Sequence, residues 1–231
     1  MKNIIKTLFK ENYIEVNENQ LTQFKKYYDM VIETNKVMNL TTITQIDEFC
    51  VKHLYDSVFP HMEIPQHAKL LDIGSGAGFP AIPLKILRND LNITMIDSLE
   101  KRTSFCNQVI KNLNILNIIA KHSRAEDFAK ENKEKFDIVV ARAVASLSTL
   151  CELALPFLKI GGKFLAYKTY GEQEIIDAKN AINLLGGRLE KVLDYNLPQN
   201  FGNRCIIVVK KIGQSPKQYP RLGNKPKTNP L

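Results

Sequence analysis

Three glycines at every second position, Gly74, Gly76 and Gly78, follow directly on an acid, Asp72. Glycine reaches backbone conformations closed to other residues, and without a Cβ it lets a ligand lie against the main chain. The stretch Asp72-Ile73-Gly74-Ser75-Gly76-Ala77-Gly78-Phe79-Pro80-Ala81-Ile82-Pro83-Leu84 runs from an apolar segment, through the glycines, into a helical apolar pattern. A strand, a glycine turn and a helix N-terminus offer free N–H groups and a positive dipole end to a polar ligand. The chemistry this suits is capture of a nucleotide or nucleoside; a tight turn with no ligand is the plain alternative. The register is D-x-G-x-G-x-G, whereas the dinucleotide fingerprint is G-x-G-x-x-G, so the third glycine comes one residue early. No Gly-Lys-Ser/Thr follows the glycines, which excludes a Walker phosphate loop.

Other candidates follow in order. Asp97 lies 19 residues beyond Gly78, where a carboxylate accepts hydrogen bonds from both ribose hydroxyls of a nucleoside. It would serve NAD and S-adenosylmethionine alike, and capping the next helix is a second role for it. The loop Ser123-Arg124-Ala125-Glu126-Asp127 could meet a base through backbone N–H groups or a carboxylate. Ser123 or Asp127 could equally be a helix cap. Arg142 ends an apolar run, where an arginine wants a partner; Glu126, Asp127 or the substrate would serve. Lys168, with Tyr167 and Tyr170, ends another such run, and an ordinary solvated rim is its alternative. The four cysteines (50, 106, 151, 205) and four histidines (53, 61, 67, 122) show no metal-ligand spacing and no Cys-x-x-Cys pair. That argues against a zinc site or disulfide framework and fits reduced thiols in the cytosol. No Ser-His-Asp or Cys-His arrangement is visible.

These residues need elements to position them. At 231 residues the chain fits one α/β domain with a small helical addition. Apolar residues at helical spacing predict helices over about 3–12, 19–36 and 47–59, with Asn17 or Asn19 as a cap and Pro60 as a stop. Residues 1–65 thus read as a helical N-terminal extension and 66–212 as the α/β domain. Strands are expected at about 69–73, 92–96, 117–121, 137–141 and 163–168, alternating with helices, which argues for a mostly parallel sheet. A helix over about 172–185 and an antiparallel pair, Arg188–Asn196 with Arg204–Ile212, close it. Residues 213–231 hold four prolines and no apolar periodicity, so that tail is expected to be extended or loosely docked. The N-terminus is too charged for a secretory signal, and the longest apolar stretch, Ile138–Leu158, is interrupted by Arg142 and Glu152. No membrane association is expected.

Charge is uneven. The net +8 divides as −2 over residues 1–67, +3 over 68–197 and +7 over 198–231, the last with seven basic and no acidic residues. A basic segment of this kind suits a polyanion; a solubilising tail is the alternative.

Taken together these pieces resemble one family. The glycine motif is similar to motif I of class I S-adenosylmethionine-dependent methyltransferases. More specifically it resembles the ribosomal RNA small subunit methyltransferase G family, also called glucose-inhibited division protein B. Asn35-Lys36-Val37-Met38-Asn39-Leu40-Thr41 and His53-Leu54-Tyr55-Asp56-Ser57 resemble its pre-core motifs. Asp97-Ser98-Leu99-Glu100-Lys101-Arg102, Arg142-Ala143-Val144-Ala145, and Tyr219-Pro220-Arg221 with Pro230-Leu231 fall in family order. The resemblance runs the full length. It departs at Lys52, where arginine is usual, at Thr169, where glycine often follows the lysine, and in a sparser basic cluster around Arg221.

The resemblance implies a Rossmann-like α/β fold, with a mostly parallel seven-stranded sheet, an antiparallel C-terminal strand and the helical extension. It implies methyl transfer from S-adenosyl-L-methionine to N7 of one guanine in 16S rRNA. The implied cofactor residues are Gly74, Gly76, Phe79, Asp97, Ser98, Leu99, Ala125, Glu126 and Arg142; the implied substrate residues are His53, Lys168, Arg221 and Lys225. The implied partner is 16S rRNA or the small ribosomal subunit, met by a cytoplasmic monomer. Guanine N7 already carries a lone pair, so no essential proton-transfer residue is expected. N7 lies in the deep, narrow major groove of A-form RNA, so the target base must be unstacked or flipped out. The basic tail is expected to hold phosphates, and its removal beyond Gly213 to leave cofactor affinity nearly unchanged. Open alternatives are a protein or small-molecule acceptor and a non-catalytic RNA-binding protein. A nicotinamide oxidoreductase fits poorly, because the glycine register is wrong and no second domain exists for a hydride acceptor.

Overall fold

The apolar runs become the strands of one seven-stranded sheet. The computed structural model describes residues 1–142, 145–169 and 172–231. The chain begins with α1 (Lys2–Glu11) and α2 (Glu18–Asn35). Asn17 caps α2 in a reciprocal box with Gln20, each side chain accepting the other's backbone N–H at 2.9 Å. The helix expected over about 47–59 is composite: α3 (Ile46–Phe49), a π-helical segment Cys50–Tyr55, α4 (Asp56–Val58) and a 3-10 turn Phe59–Glu63. Pro60 does not stop the chain at once, because a proline fits the first turn of the 3-10 segment.

Strands and helices then alternate: β1 (Lys69–Ile73), α5 (Ala81–Leu87), β2 (Asn92–Asp97), α6 (Glu100–Leu113), β3 (Ile118–His122), α7 (Ala125–Asn132), β4 (Phe136–Ala141) and α8 (Leu147–Ala154). There follow β5 (Leu158–Lys168), α9 (Glu172–Asp177), α10 (Lys179–Leu184), β6 (Gly187–Asn196), β7 (Asn203–Lys211) and a short α11 (Lys225–Thr228). β5 starts five residues earlier than the apolar pattern suggests: Leu158 pairs with Phe136 before a register shift brings Lys163 opposite Ile138. The helix expected over about 172–185 is two helices, α9 and α10, meeting at Ala178, whose ψ flattens to −3°.

The sheet order is β3-β2-β1-β4-β5-β7-β6. β1 pairs in parallel with both β2 and β4, and β7 alone runs against the direction of the other six strands. Chain order therefore reverses between β1 and β4, and in open α/β sheets ligands bind at the carboxyl ends beside such a reversal.

The helical preface is not a separate body. Ile5, Phe9, Phe24, Tyr27, Phe49 and Leu54 share one continuous apolar core with Leu70, Ile93 and Val140 of the sheet. α2 also seals helix ends. Gln20 donates to Ile86 O and Leu87 O at 3.0 Å, Gln23 to Leu113 O at 3.1 Å, and Lys26 to Asn112 O at 2.6 Å. The opposite sheet face buries α8 and α10, and Tyr219 and Leu231 of the tail pack against it.

Candidate functional site

The carboxyl ends of β1 and β2 meet at the glycine loop. Gly74 N and Ser75 N donate to Ile96 O, at 2.9 and 3.2 Å, which locks the loop to β2. Gly74 and Gly76 take φ of 73° and 57°, a left-handed region that side chains rarely adopt. A Cβ on Gly76 would meet nothing within 4 Å, so open space lies beside that backbone. Asp97 completes the corner. Its Oδ2 accepts from Gly76 N and its Oδ1 from Leu99 N, both at 2.9 Å, and Arg102 stands 3.6 Å away. The loop is also held from behind, where Tyr27 Oη donates to Ala77 O at 2.7 Å.

In front of the corner lies a cavity of about 600 Å³, lined among others by Gly74, Ser75, Gly76, Asp97, Ser123 and Glu126. That is the size of a cofactor pocket. Ser75 is 2% exposed and its Oγ has no partner, so a hydroxyl of the lining is left for a ligand. Loop backbone with room beside it, a carboxylate and a free hydroxyl fit a nucleoside carrying an amino-acid arm.

A second cavity of about 650 Å³ adjoins the first, and His53, Arg142 and Ala145 line both. Arg142 is the hub of the shared wall. It donates to Lys52 O and Asp56 Oδ2 at 3.1 Å and to His53 Nδ1 at 3.2 Å, and it lies 4.9 Å over the Phe79 ring. The partner expected among Glu126 and Asp127 is therefore Asp56, because the composite helix, rather than α7, faces the end of β4. Tyr195 Oη holds the other Asp56 oxygen at 2.7 Å. His53 stacks on Phe79 at 4.2 Å, and its Nε2 lies 2.7 Å from Thr41 Oγ1. Since Arg142 is a donor, the bonds assign the proton to Nε2. Burial, and then the Arg142 charge, push the His53 imidazole down to about 2, so it is neutral and fully occupied.

A family model for rRNA small subunit methyltransferase G matches residues 20–200. The chain is 47% identical over 224 residues to a ribosomal RNA small subunit methyltransferase G of Lachnoclostridium phytofermentans, covering 94% of this chain and 92% of that one. The chain belongs to the rRNA small subunit methyltransferase G family. The namesake of Staphylococcus aureus is 44% identical, with 96% and 95% covered. Among solved structures, an O-methyltransferase from Bacillus cereus in complex with SAH aligns at a TM-score of 0.59 and 16% identity, covering 89% of this chain and all of that one. M. jannaschii TYW2 in complex with AdoMet aligns at 0.57 and 17%, covering 69% and 76%. At such identities these two share the fold.

With the methyltransferase G family settled, the expected residues can be placed. Gly74, Gly76, Phe79, Asp97, Ser98, Ala125, Glu126 and Arg142 all border the first cavity. Leu99 does not; its backbone braces Asp97 while its side chain is exposed. Asp97 supports the turn before α6 rather than capping that helix, whose N-cap is Leu99. His53 borders both cavities and Lys168 the second, where Lys168 is engaged by Glu174 and Ala145 O. Tyr170 and the Ala143-Val144 pair lie outside the described residues. Arg221, expected to meet RNA, has its guanidinium on Glu152 at 2.6 Å. Lys225 is exposed at the start of α11 and does not line the cavity, whereas Gly223, Asn224, Pro226 and Lys227 do. Of the two courses expected for the tail, extended or loosely docked, the structure shows the docked one, and more firmly than its isolated apolar residues Tyr219, Pro226 and Leu231, with no periodicity, suggest.

Proposed function

We propose that this chain transfers a methyl group from S-adenosyl-L-methionine to N7 of a guanine in 16S rRNA. The observation carrying this reading is two adjoining cavities with a common wall: one fits the cofactor, and the other opens where an acceptor base would approach. S-adenosylmethionine, when bound, supplies a methyl group already activated by its positive sulfur. Asp97 would take the ribose hydroxyls, and the Gly74–Gly76 backbone with Ser75 Oγ would hold the amino-acid arm.

The rest is positioning. A rigid wall that fixes donor and acceptor in line supplies the entropic part of the barrier. Arg142, held from three sides, keeps that wall in one geometry. Among the described residues of this wall, His53 is neutral with both nitrogens engaged, the Asp56 carboxylate is held by Arg142 and Tyr195, and burial pushes the Tyr27 and Tyr167 phenols well above their ordinary value. N7 needs no deprotonation, so the chemistry and the site agree. Turnover should accordingly be flat in rate between about pH 6 and 9, with no bell-shaped profile, in single-turnover assays. A slope of one set by a single side chain would count against an N7 acceptor.

No helix among the described residues is long and apolar enough to cross a membrane, and we read the enzyme as a cytoplasmic monomer acting on rRNA or on the small subunit. Methyl-transfer assays with naked rRNA, assembled small subunits and protein extracts test the acceptor. Mass mapping of methylated guanines in rRNA from cells lacking the chain tests the position. Methylation of extract proteins alone would overturn the reading.

A further inference from the structure

Beyond β7 the chain stays on the body of the molecule. Ile212 and Gly213 donate to Gly186 O at 2.8 and 3.0 Å, and Lys133 Nζ donates to Lys217 O at 2.7 Å. The strongest tie lies further on. Glu152, on α8, is fully buried. Its oxygens accept from Arg221 N at 2.8 Å, Nε at 2.9 Å and Nη2 at 2.6 Å, and no other hydrogen bond reaches them among the described residues. Arg221 Nη2 also donates to Asn229 O at 2.8 Å, which closes 221–229 into a loop.

Gly223, Asn224, Pro226 and Lys227 of that loop line the first cavity. On one side Arg124 donates to Asn224 Oδ1 at 3.2 Å; on the other Thr149 Oγ1 donates to Pro226 O at 2.9 Å. Arg124 immediately precedes Ala125 and Glu126, the end of the cavity where a base would lie once its ribose is on Asp97. The tie holding the loop is informative too. A buried ion pair is a poor source of net stability compared with apolar packing, but it fixes one geometry. A tail kept only for its charge would need neither a buried clamp nor bridges to both rims.

We propose that residues 223–227 are a wall of the S-adenosylmethionine site, closing it at the base end, and that Arg221 with Glu152 is the clamp that sets this wall. The proposal rests on the cofactor reading above. It reverses the expectation that the tail is irrelevant to the cofactor.

Titration calorimetry of S-adenosylmethionine with the full chain tests it, alongside tryptic cleavage of the tail with and without cofactor. The first variant is Glu152→Gln with Arg221→Gln, which removes the clamp without stranding a buried charge. The second is Asn224→Ala with Lys227→Ala, on exposed positions where folding is not at stake. The clamp variant should bind about tenfold more weakly, and the surface variant several-fold more weakly. Saturating cofactor should slow cleavage after Arg221 and Lys227 in the unmodified chain; Lys225 is followed by Pro226 and is not a tryptic site. Affinities within about twofold of the unmodified chain, with cleavage indifferent to cofactor, would overturn the proposal while leaving the cofactor reading intact. If the clamp variant does not fold, the surface variant and the cleavage rates decide. An unmodified chain that binds no S-adenosylmethionine would sink the cofactor reading itself, and this wall with it.

Discussion

Asp72 sits near the end of β1, fully buried, and among the described residues no hydrogen bond of good geometry reaches either oxygen, the Ala81 N–H being the backbone donor that faces it. Burial pushes its carboxyl well above the ordinary value, against the pull of the Ala81 N–H and of Arg142. A carboxyl whose pKa is raised on folding holds its proton longer in the folded state, so it costs stability as pH rises above its unfolded value of 3.8. His53 works the other way. Its folded value of about 2 lies below the ordinary 6.5, so its contribution is complete above pH 6.5 and is lost as pH falls. Between 3.8 and 6.5 the two slopes oppose each other. Asp72→Asn should therefore stabilise the cofactor-free chain at pH 7.5, by about 1 kcal/mol or more, and the gain should shrink towards pH 4. It should also expose the His53 slope, a loss of about 1.4 kcal/mol for each unit of pH below 6.5. Denaturant unfolding at several pH values measures both; a gain independent of pH would refute the assignment. The motif Asp72-x-Gly74 was visible in the sequence, but burial without a well-aligned partner was not. That depends on which groups Tyr27, Arg142 and Tyr167 choose as partners, and each is brought in by a different element.

The glycine corner separates two kinds of constraint within one turn. A Cβ on Gly78, at φ +101°, would stand 2.4 Å from Ile82 Cδ1 and 3.2 Å from Tyr27 Oη. Gly78→Ala should cost about 2–4 kcal/mol, combining backbone strain with overpacking. Gly76→Ala meets open space and should cost about 1–2 kcal/mol for its left-handed backbone alone, yet its methyl would stand beside the cavity. The expected result is a reversed ranking: Gly78→Ala loses more in melting temperature, and Gly76→Ala more in cofactor affinity per unit of stability lost. Equal losses in both assays would mean that Gly76 does not face the ligand. At this scale the strands, their order of appearance and the antiparallel last strand followed from periodicity and turn residues, and of the two caps offered, Asn17 and Asn19, the structure uses Asn17. What α2 does with its polar side did not. Nothing in the sequence singles out Gln20, Gln23 and Lys26, because periodicity says which stripe is buried and not which helix ends lie within reach of an exposed amide. How firmly the tail docks was hidden for a related reason: its ties are one ion pair, scattered hydrogen bonds and three apolar residues, too sparse to make a pattern.

Across the whole molecule, the charge count and the free charge differ. Residues 198–231 carry seven cations and no acid. Lys211 is fully buried on Leu185 O and Ser215, and burial pulls its ammonium down to about 8. Arg221 is spent on Glu152, and Arg204 lies 3.9 Å from Asp56. The exposed cations of the tail are Lys217, Lys225 and Lys227, with Lys227 at the cavity rim. The seventh, Lys210 on β7, is half-buried, so counting the segment as a sevenfold phosphate grip overstates it by the three cations already engaged. Each phosphate contact on single-stranded RNA lowers the slope of log affinity against log salt by about 0.7. Replacing the three lysines by alanine should flatten that slope by about 2, weaken binding of 16S rRNA fragments at low salt, and shift affinity little at high salt. Replacing Arg221 and Glu152 together should leave the three lysines in place and change the slope far less. If the slope instead survives the triple substitution, the phosphates lie elsewhere.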